Sequence, residues 1–168
     1  MTKTLYLVRH AKTEQGSYDQ TDFSRELKPR GMRDATLVGQ KLMQEGSMMD
    51  LIITSTAARA RATADIMATQ MNYDIDKIHL NEELYMASVR TFLQAVNQLK
   101  SEWSHVMMVG HNPIISYLGE YLSNEVVGDL PTGAVLVVEF DVDNWRLISQ
   151  SSGRLTYYLT PKMLKTNE

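Results

Sequence analysis

The 168-residue sequence predicts an α/β fold: a three-layer αβα sandwich whose central sheet is mostly parallel and carries antiparallel C-terminal edge strands. Two observations predict the layers. A short apolar β-rich run, a polar turn and a helical pattern follow one another three times, the alternation that builds a parallel sheet with helices on both faces. Beyond Pro131 the pattern changes to short β-rich runs with turn residues between them, as an antiparallel addition does. The length, against about 150 residues for a typical domain, suits a single domain spanning 1–168 on one core.

The elements follow in order. Thr4 to Val8 is a β-rich run that delivers Arg9 and His10 at its C-terminal end. Residues 11–28 read as a polar loop with Gly16, Ser17 and Asp19. Pro29 suits a helix first turn, and Met32, Ala35, Val38, Leu42 and Met43 recur at helical spacing until Gly46, which gives a helix over 29–45. Leu51-Ile52-Ile53 is a second strand, followed by an Ala-rich helix from Ser55 to about Met71. Ser88 caps a helix whose Val89, Phe92, Leu93, Val96 and Leu99 form one apolar stripe. His105 to Val109 is a third strand, and Pro113 opens a helix through Ile114, Leu118 and Leu122. Three further strands are expected at Ala134–Phe140, Trp145–Gln150 and Leu155–Leu159, with Asp143-Asn144 turning between the first two.

Composition excludes several classes. With no cysteine there is no disulfide framework, no thiolate catalysis and no Cys-ligated metal. A net charge of −3 argues against a nucleic-acid-binding face. No apolar run is long enough to span a membrane and no signal-peptide pattern opens the chain, so the expected location is cytoplasmic, with neither membrane nor nucleic acid as partner. Charge is unevenly spread: residues 1–60 hold nine Lys/Arg against seven Asp/Glu, and residues 61–168 eight against thirteen. A small-anion site should draw on the N-terminal third.

In open α/β sheets, ligands bind beyond the carboxyl ends of the strands. After the first strand come Arg9-His10-Ala11, after the second Ser55 to Ala60 with Arg59, and after the third Gly110-His111-Asn112-Pro113. Taken singly, each is more often a surface polar group or a helix cap than a catalyst. Together, two Arg and two His fall on one rim. Arginine offers a fixed fork of donors matched to phosphate oxygens, and histidine can act as nucleophile or as acid and base near neutral pH. Such a set without a thiol suggests phosphoryl transfer through a phosphohistidine.

The run Leu7-Val8-Arg9-His10-Ala11 resembles the RHG motif of the histidine phosphatase superfamily, the phosphoglycerate mutase-like fold. Ser55-x-x-x-Arg59-Ala60-x-x-Thr63-Ala64 is similar to its second arginine motif, and Val109-Gly110-His111-Asn112-Pro113 to its second histidine motif. Ala11 replaces the commoner Gly, and Thr56 the usual Pro. The short length and the segment Asp22-Phe23-Ser24-Arg25-x-Leu27-x-x-x-Gly31 look like SixA-type phosphohistidine phosphatases.

The resemblance implies that His10 attacks phosphorus, that Arg9, Arg59 and His111 hold the phosphoryl oxygens, and that Arg25 reaches the same phosphate or pairs with Asp22 or Glu26. Nearby guanidinium charges disfavour imidazolium and would keep His10 neutral. The general acid is Asp22 by analogy with SixA-type members, or Glu82 or Glu83 by analogy with larger ones. Neither a metal nor a cofactor is expected. The implied activity is a metal-independent phosphatase acting on a phosphorylated protein (phosphohistidine) or a small phosphorylated metabolite. A mutase-type phosphotransferase and a non-catalytic phosphate-binding regulatory module would use the same residues.

Overall fold

The computed structural model describes residues 1–16 and 21–165. Ser17 and Asp19 of the expected polar loop lie outside them. Strands β1 (Lys3–Arg9), β2 (Leu51–Thr54), β3 (His79–Leu80), β4 (His105–Gly110), β5 (Val135–Phe140) and β6 (Arg154–Leu159) form one sheet in the order β3-β2-β4-β1-β5-β6. β1, β2, β3 and β4 run parallel, β5 pairs antiparallel with β1, and β6 antiparallel with β5. The mostly parallel sheet with an antiparallel C-terminal addition is thus as the sequence predicts, with β6 alone of the two added strands at an edge.

Period-two alternation sends successive side chains to opposite layers. Leu5 and Leu7 join Ile53, Met108 and Leu136 in one core, covered by Phe92 and Val96 of helix α3 (Val89–Asn97) and Leu118 and Leu122 of helix α4 (Ile114–Ser123). Tyr6 and Val8 join Ile52, Met107 and Val137 in the other, covered by Ala35, Val38 and Leu42 of α1 (Pro29–Gln44) and Ala64 and Met67 of α2 (Ala58–Gln70). A short helix, α5 (Pro161–Lys165), follows β6. No helix of the described residues is long and apolar enough to cross a membrane.

Local signals hold at the helix ends. Pro29 occupies the first turn of α1, and Gly46 ends it at φ +78°, where the Ser47 amide donates to the Leu42 carbonyl. The Ser88 hydroxyl accepts from the Thr91 amide at 3.1 Å, capping α3.

The strand expected at Trp145–Gln150 is absent. Trp145–Leu147 is instead a 3₁₀ turn, capped by the Asn144 side chain accepting from the Arg146 amide at 3.1 Å. The amide of Asn97 donates to the carbonyls of Trp145 and Ile148, groups a ladder would have used. Trp145 is fully buried, its indole N–H donating to the Trp103 carbonyl at 2.7 Å. Its size and β propensity report burial here and not extension. β3, two exposed residues long, carries too little pattern to be read from sequence.

Candidate active site

Three parallel strands end side by side because β4 lies between β1 and β2. Arg9 stands opposite Gly110 in the ladder, the His10 amide donates to the Gly110 carbonyl at 3.0 Å, and the Ser55 amide donates to the Val109 carbonyl at 3.0 Å. Arg9, His10, Ser55 and His111 therefore come out on one rim, and the first turn of α2 adds Arg59.

His10 is 7% exposed. Its Nδ1 lies 2.8 Å from the Ala11 carbonyl oxygen, which can only accept, so Nδ1 carries the proton and Nε2 keeps its lone pair. Burial pushes the His10 pKa down to about 3, with His111, Arg59 and Arg9 adding to the effect. The turn after it is pinned: the Ala11 amide donates to Thr63 Oγ1 at 3.0 Å, and that hydroxyl donates to the Arg59 carbonyl at 2.8 Å. One threonine thus ties the His10 loop to the helix carrying Arg59.

His111 stands with its ring centroid 5.3 Å from that of His10 and shares a hydrogen bond of 2.8 Å between Nε2 and Ser55 Oγ. Burial, then Arg59, bring its pKa down to about 4. Arg9 donates from Nη1 to the Leu130 carbonyl at 2.5 Å, and the Gly133 amide donates to the carbonyls of Arg9 and His10. The loop before β5 closes this end of the site and is itself held by Asn112 and Ser116.

Asp22 sits on a 3₁₀ turn, Asp22–Ser24, above Arg59. Arg59 donates to the Asp22 carbonyl at 2.6 Å and to its Oδ2 at 3.0 Å, Arg25 lies 3.3 Å from Oδ1, and the Tyr85 hydroxyl donates to Oδ2 at 2.6 Å. These partners, Tyr85 foremost, hold the carboxyl below its ordinary pKa, while Asp22 pushes the Tyr85 phenol up. At neutral pH Asp22 is a carboxylate.

Of the residues singled out from sequence, His10, Arg9, Arg59, His111, Asp22 and Arg25 come together. Glu82 and Glu83 do not join them. Both are exposed and line a separate depression with Leu80, Asn81 and Gln98. The segment that carries them delivers Tyr85 instead. Sequence reasoning missed Tyr85, and it missed the Leu130 carbonyl, which no side-chain motif could announce. A groove of about 760 Å³ behind Pro131 and Thr132, lined also by Arg30, Asp34, Tyr158 and Lys165, contains none of the site residues.

Four nitrogens of the site are left over. Nε of Arg9, Arg25 and Arg59 and Nδ1 of His111 are buried without a hydrogen-bond partner. Buried polar groups are nearly always paired, so a cluster of unpaired ones fits a small anion with several oxygens. Among the described residues no group of three or more His, Asp or Glu side chains could hold a metal ion.

Residues 5–86 match the model of the histidine phosphatase superfamily (branch 1). An uncharacterized protein of Mycobacterium tuberculosis is 32% identical over 120 residues, covering 70% of each chain. A structure from Nakamurella multipartitia, described as a candidate phosphohistidine phosphatase SixA, is 27% identical with a TM-score of 0.83, covering 96% of this chain and 97% of that one. Another, from Agrobacterium tumefaciens and described in the same way, is 28% identical with a TM-score of 0.81 over 95% and 98%. The order of motifs, the strand ends they occupy and these matches agree: the chain belongs to the histidine phosphatase superfamily, branch 1, as a phosphatase of the SixA type.

Proposed function

We propose that the protein is a phosphohistidine phosphatase that works through a phosphorylated His10. The observation that carries this reading is the pinned tautomer. Nδ1 of His10 is committed to the Ala11 carbonyl, so Nε2 is the free nucleophile, with His111, Arg59 and Arg9 close enough to lower the His10 pKa and each carrying an unpaired buried nitrogen. Nε2 attacks phosphorus, the bond from phosphorus to the leaving group breaks, and that group departs with its electron pair. The guanidinium groups stabilise charge on the equatorial oxygens, the larger part of catalysis in phosphoryl transfer. His111 adds a donor from Nδ1 when the Ser55 hydroxyl donates to Nε2. Water then attacks phosphorus, releasing phosphate and restoring neutral His10. The cations supply the charge that a metal would, so turnover should survive EDTA.

Asp22 bears on the substrate. An alkoxide leaving group needs a proton in the transition state, an effect worth about 10²–10⁴-fold. Tyr85, Arg59 and Arg25 all favour the carboxylate form of Asp22, which opposes that role. A phosphohistidine protonated on its ring leaves as neutral imidazole and needs no such acid. The Asp22 side chain is 57% exposed and that of Arg25 29%, so the site is open to water and to a macromolecular substrate, which favours hydrolysis over transfer to a sequestered acceptor.

Mixing with a labelled phosphoryl donor and quenching without acid should trap label on His10, and His10→Ala should abolish both label and turnover. Label on another residue overturns the reading. Asp22→Asn should change turnover by a similar factor for leaving groups of graded acidity. A penalty that grows steeply toward alkyl phosphates would restore Asp22 as the proton donor.

A further inference from the structure

Four rings form a ladder from the nucleophile to the surface. His10 and His111 are 5.3 Å apart between centroids, Tyr85 meets His111 edge to face at 5.6 Å, and Phe23 meets Tyr85 edge to face at 5.1 Å. Every step lies in the range where aromatic quadrupoles attract. On its inner side Tyr85 also faces Arg59, whose guanidinium carbon is 5.8 Å from the ring centre. At its outer end Phe23 is 43% exposed, on a turn whose other residues are exposed and polar or charged. A lone exposed Phe is unremarkable on a protein surface. This one ends a continuous aromatic track that starts at His10, and it neighbours Asp22, which accepts from Arg59.

We infer that Phe23 and Tyr85 select the leaving group, favouring phosphoryl donors whose leaving group is a flat ring. The inference rests on the reading of His10 as nucleophile. In an in-line displacement the leaving group departs on the side away from Nε2, toward the mouth where these rings stand. A planar imidazole or phenol can offer its edge or face to the exposed face of Phe23 and to Tyr85. A non-planar group of equal acidity gains apolar contact there but no matched quadrupole. Selection of this kind is independent of proton delivery, because it acts on shape and ring electrostatics.

The test uses phenyl phosphate and hexafluoroisopropyl phosphate, whose leaving groups are similar in acidity while only one is flat. Phe23→Ala should lower kcat/KM for phenyl phosphate about three- to tenfold more than for the fluoroalkyl ester, the size an aromatic pair carries. Phe23→Leu, which keeps apolar bulk without a ring, should show the same selective loss, and Phe23→Tyr should restore the wild-type ratio. Equal losses on both esters would mean that Phe23 only holds the Asp22 turn in place, and would overturn the selection while leaving the phosphatase reading intact. No turnover of either ester or of N-phosphorylimidazole by the wild-type protein would overturn that reading and the selection with it.

Discussion

Two imidazoles in this protein are kept neutral far below the range where histidine normally titrates, because charging either would bury a cation beside guanidinium groups. In a nitrogen-15 NMR titration both His10 and His111 should remain neutral at pH 5.5, with His10 protonated on Nδ1. A titration of His10 near 6.5 would contradict the burial and charge argument. Asp22 is tuned in the opposite sense. Removing the Tyr85 hydroxyl with Tyr85→Phe takes away the largest contribution lowering the Asp22 pKa, so that pKa should rise, read from the carboxyl carbon shift against pH. The Asp22 carboxylate also competes with phosphate for Arg59 and Arg25. Asp22→Asn should therefore tighten inorganic phosphate binding about two- to fivefold, a modest factor because the side chain is solvent-exposed, measured by calorimetry.

At the scale of elements, the loop after β1 is clamped where α1 begins. The Lys28 amide donates to the Lys12 carbonyl at 2.9 Å, and a Cβ at Gly31 would collide with that same carbonyl oxygen. The obstacle is backbone, so it cannot swing aside. Gly31→Ala should cost about 1–3 kcal/mol of stability and displace the chain just past His10, lowering turnover. A thermal melt and kcat, measured together, check this; an unchanged pair would show that the loop yields freely. Gly31 was legible in sequence as part of a motif, and so were the residues that end β1, β2 and β4, because a strand followed by a charged or aromatic polar group leaves a local trace. Tyr85 was not. It follows two glutamates with better chemical credentials, and only the 3₁₀ turn Glu82–Leu84 decides that the phenol and not a carboxylate reaches Asp22. Trp145 misled for a related reason, since a large apolar side chain reports that it is buried without saying in which backbone conformation.

Over the whole molecule, the layers and the mixed sheet were legible because periodicity switches between two and 3.6 along the chain. The pairing order was not, since nothing local states that β4 inserts between β2 and β1. The buried histidines also set a global pH dependence. Each has a folded-state pKa below its unfolded value, so as pH falls from about 6.5 toward 4 the unfolded chain takes up protons that the folded one refuses. Stability should fall across that window, and His10→Gln should flatten the slope in denaturant titrations at pH 7 and pH 4.5. Retention of a full slope in that variant would locate the cause elsewhere. The sheet order has a further result, in the time of synthesis. β1 leaves the ribosome before the other strands of the sheet, yet its neighbours are β4 and β5, and the carbonyls of Arg9 and His10 both accept from the Gly133 amide. A chain halted at residue 128 already contains His10, His111, Arg9, Arg25 and Arg59, but it lacks Leu130 and β5 and leaves β1 unflanked on one side. A chain ending at residue 128 should therefore show no phosphatase turnover while one ending at residue 160 does, so that activity during synthesis would report closure of the sheet around the residues made first; turnover by the shorter chain would contradict this.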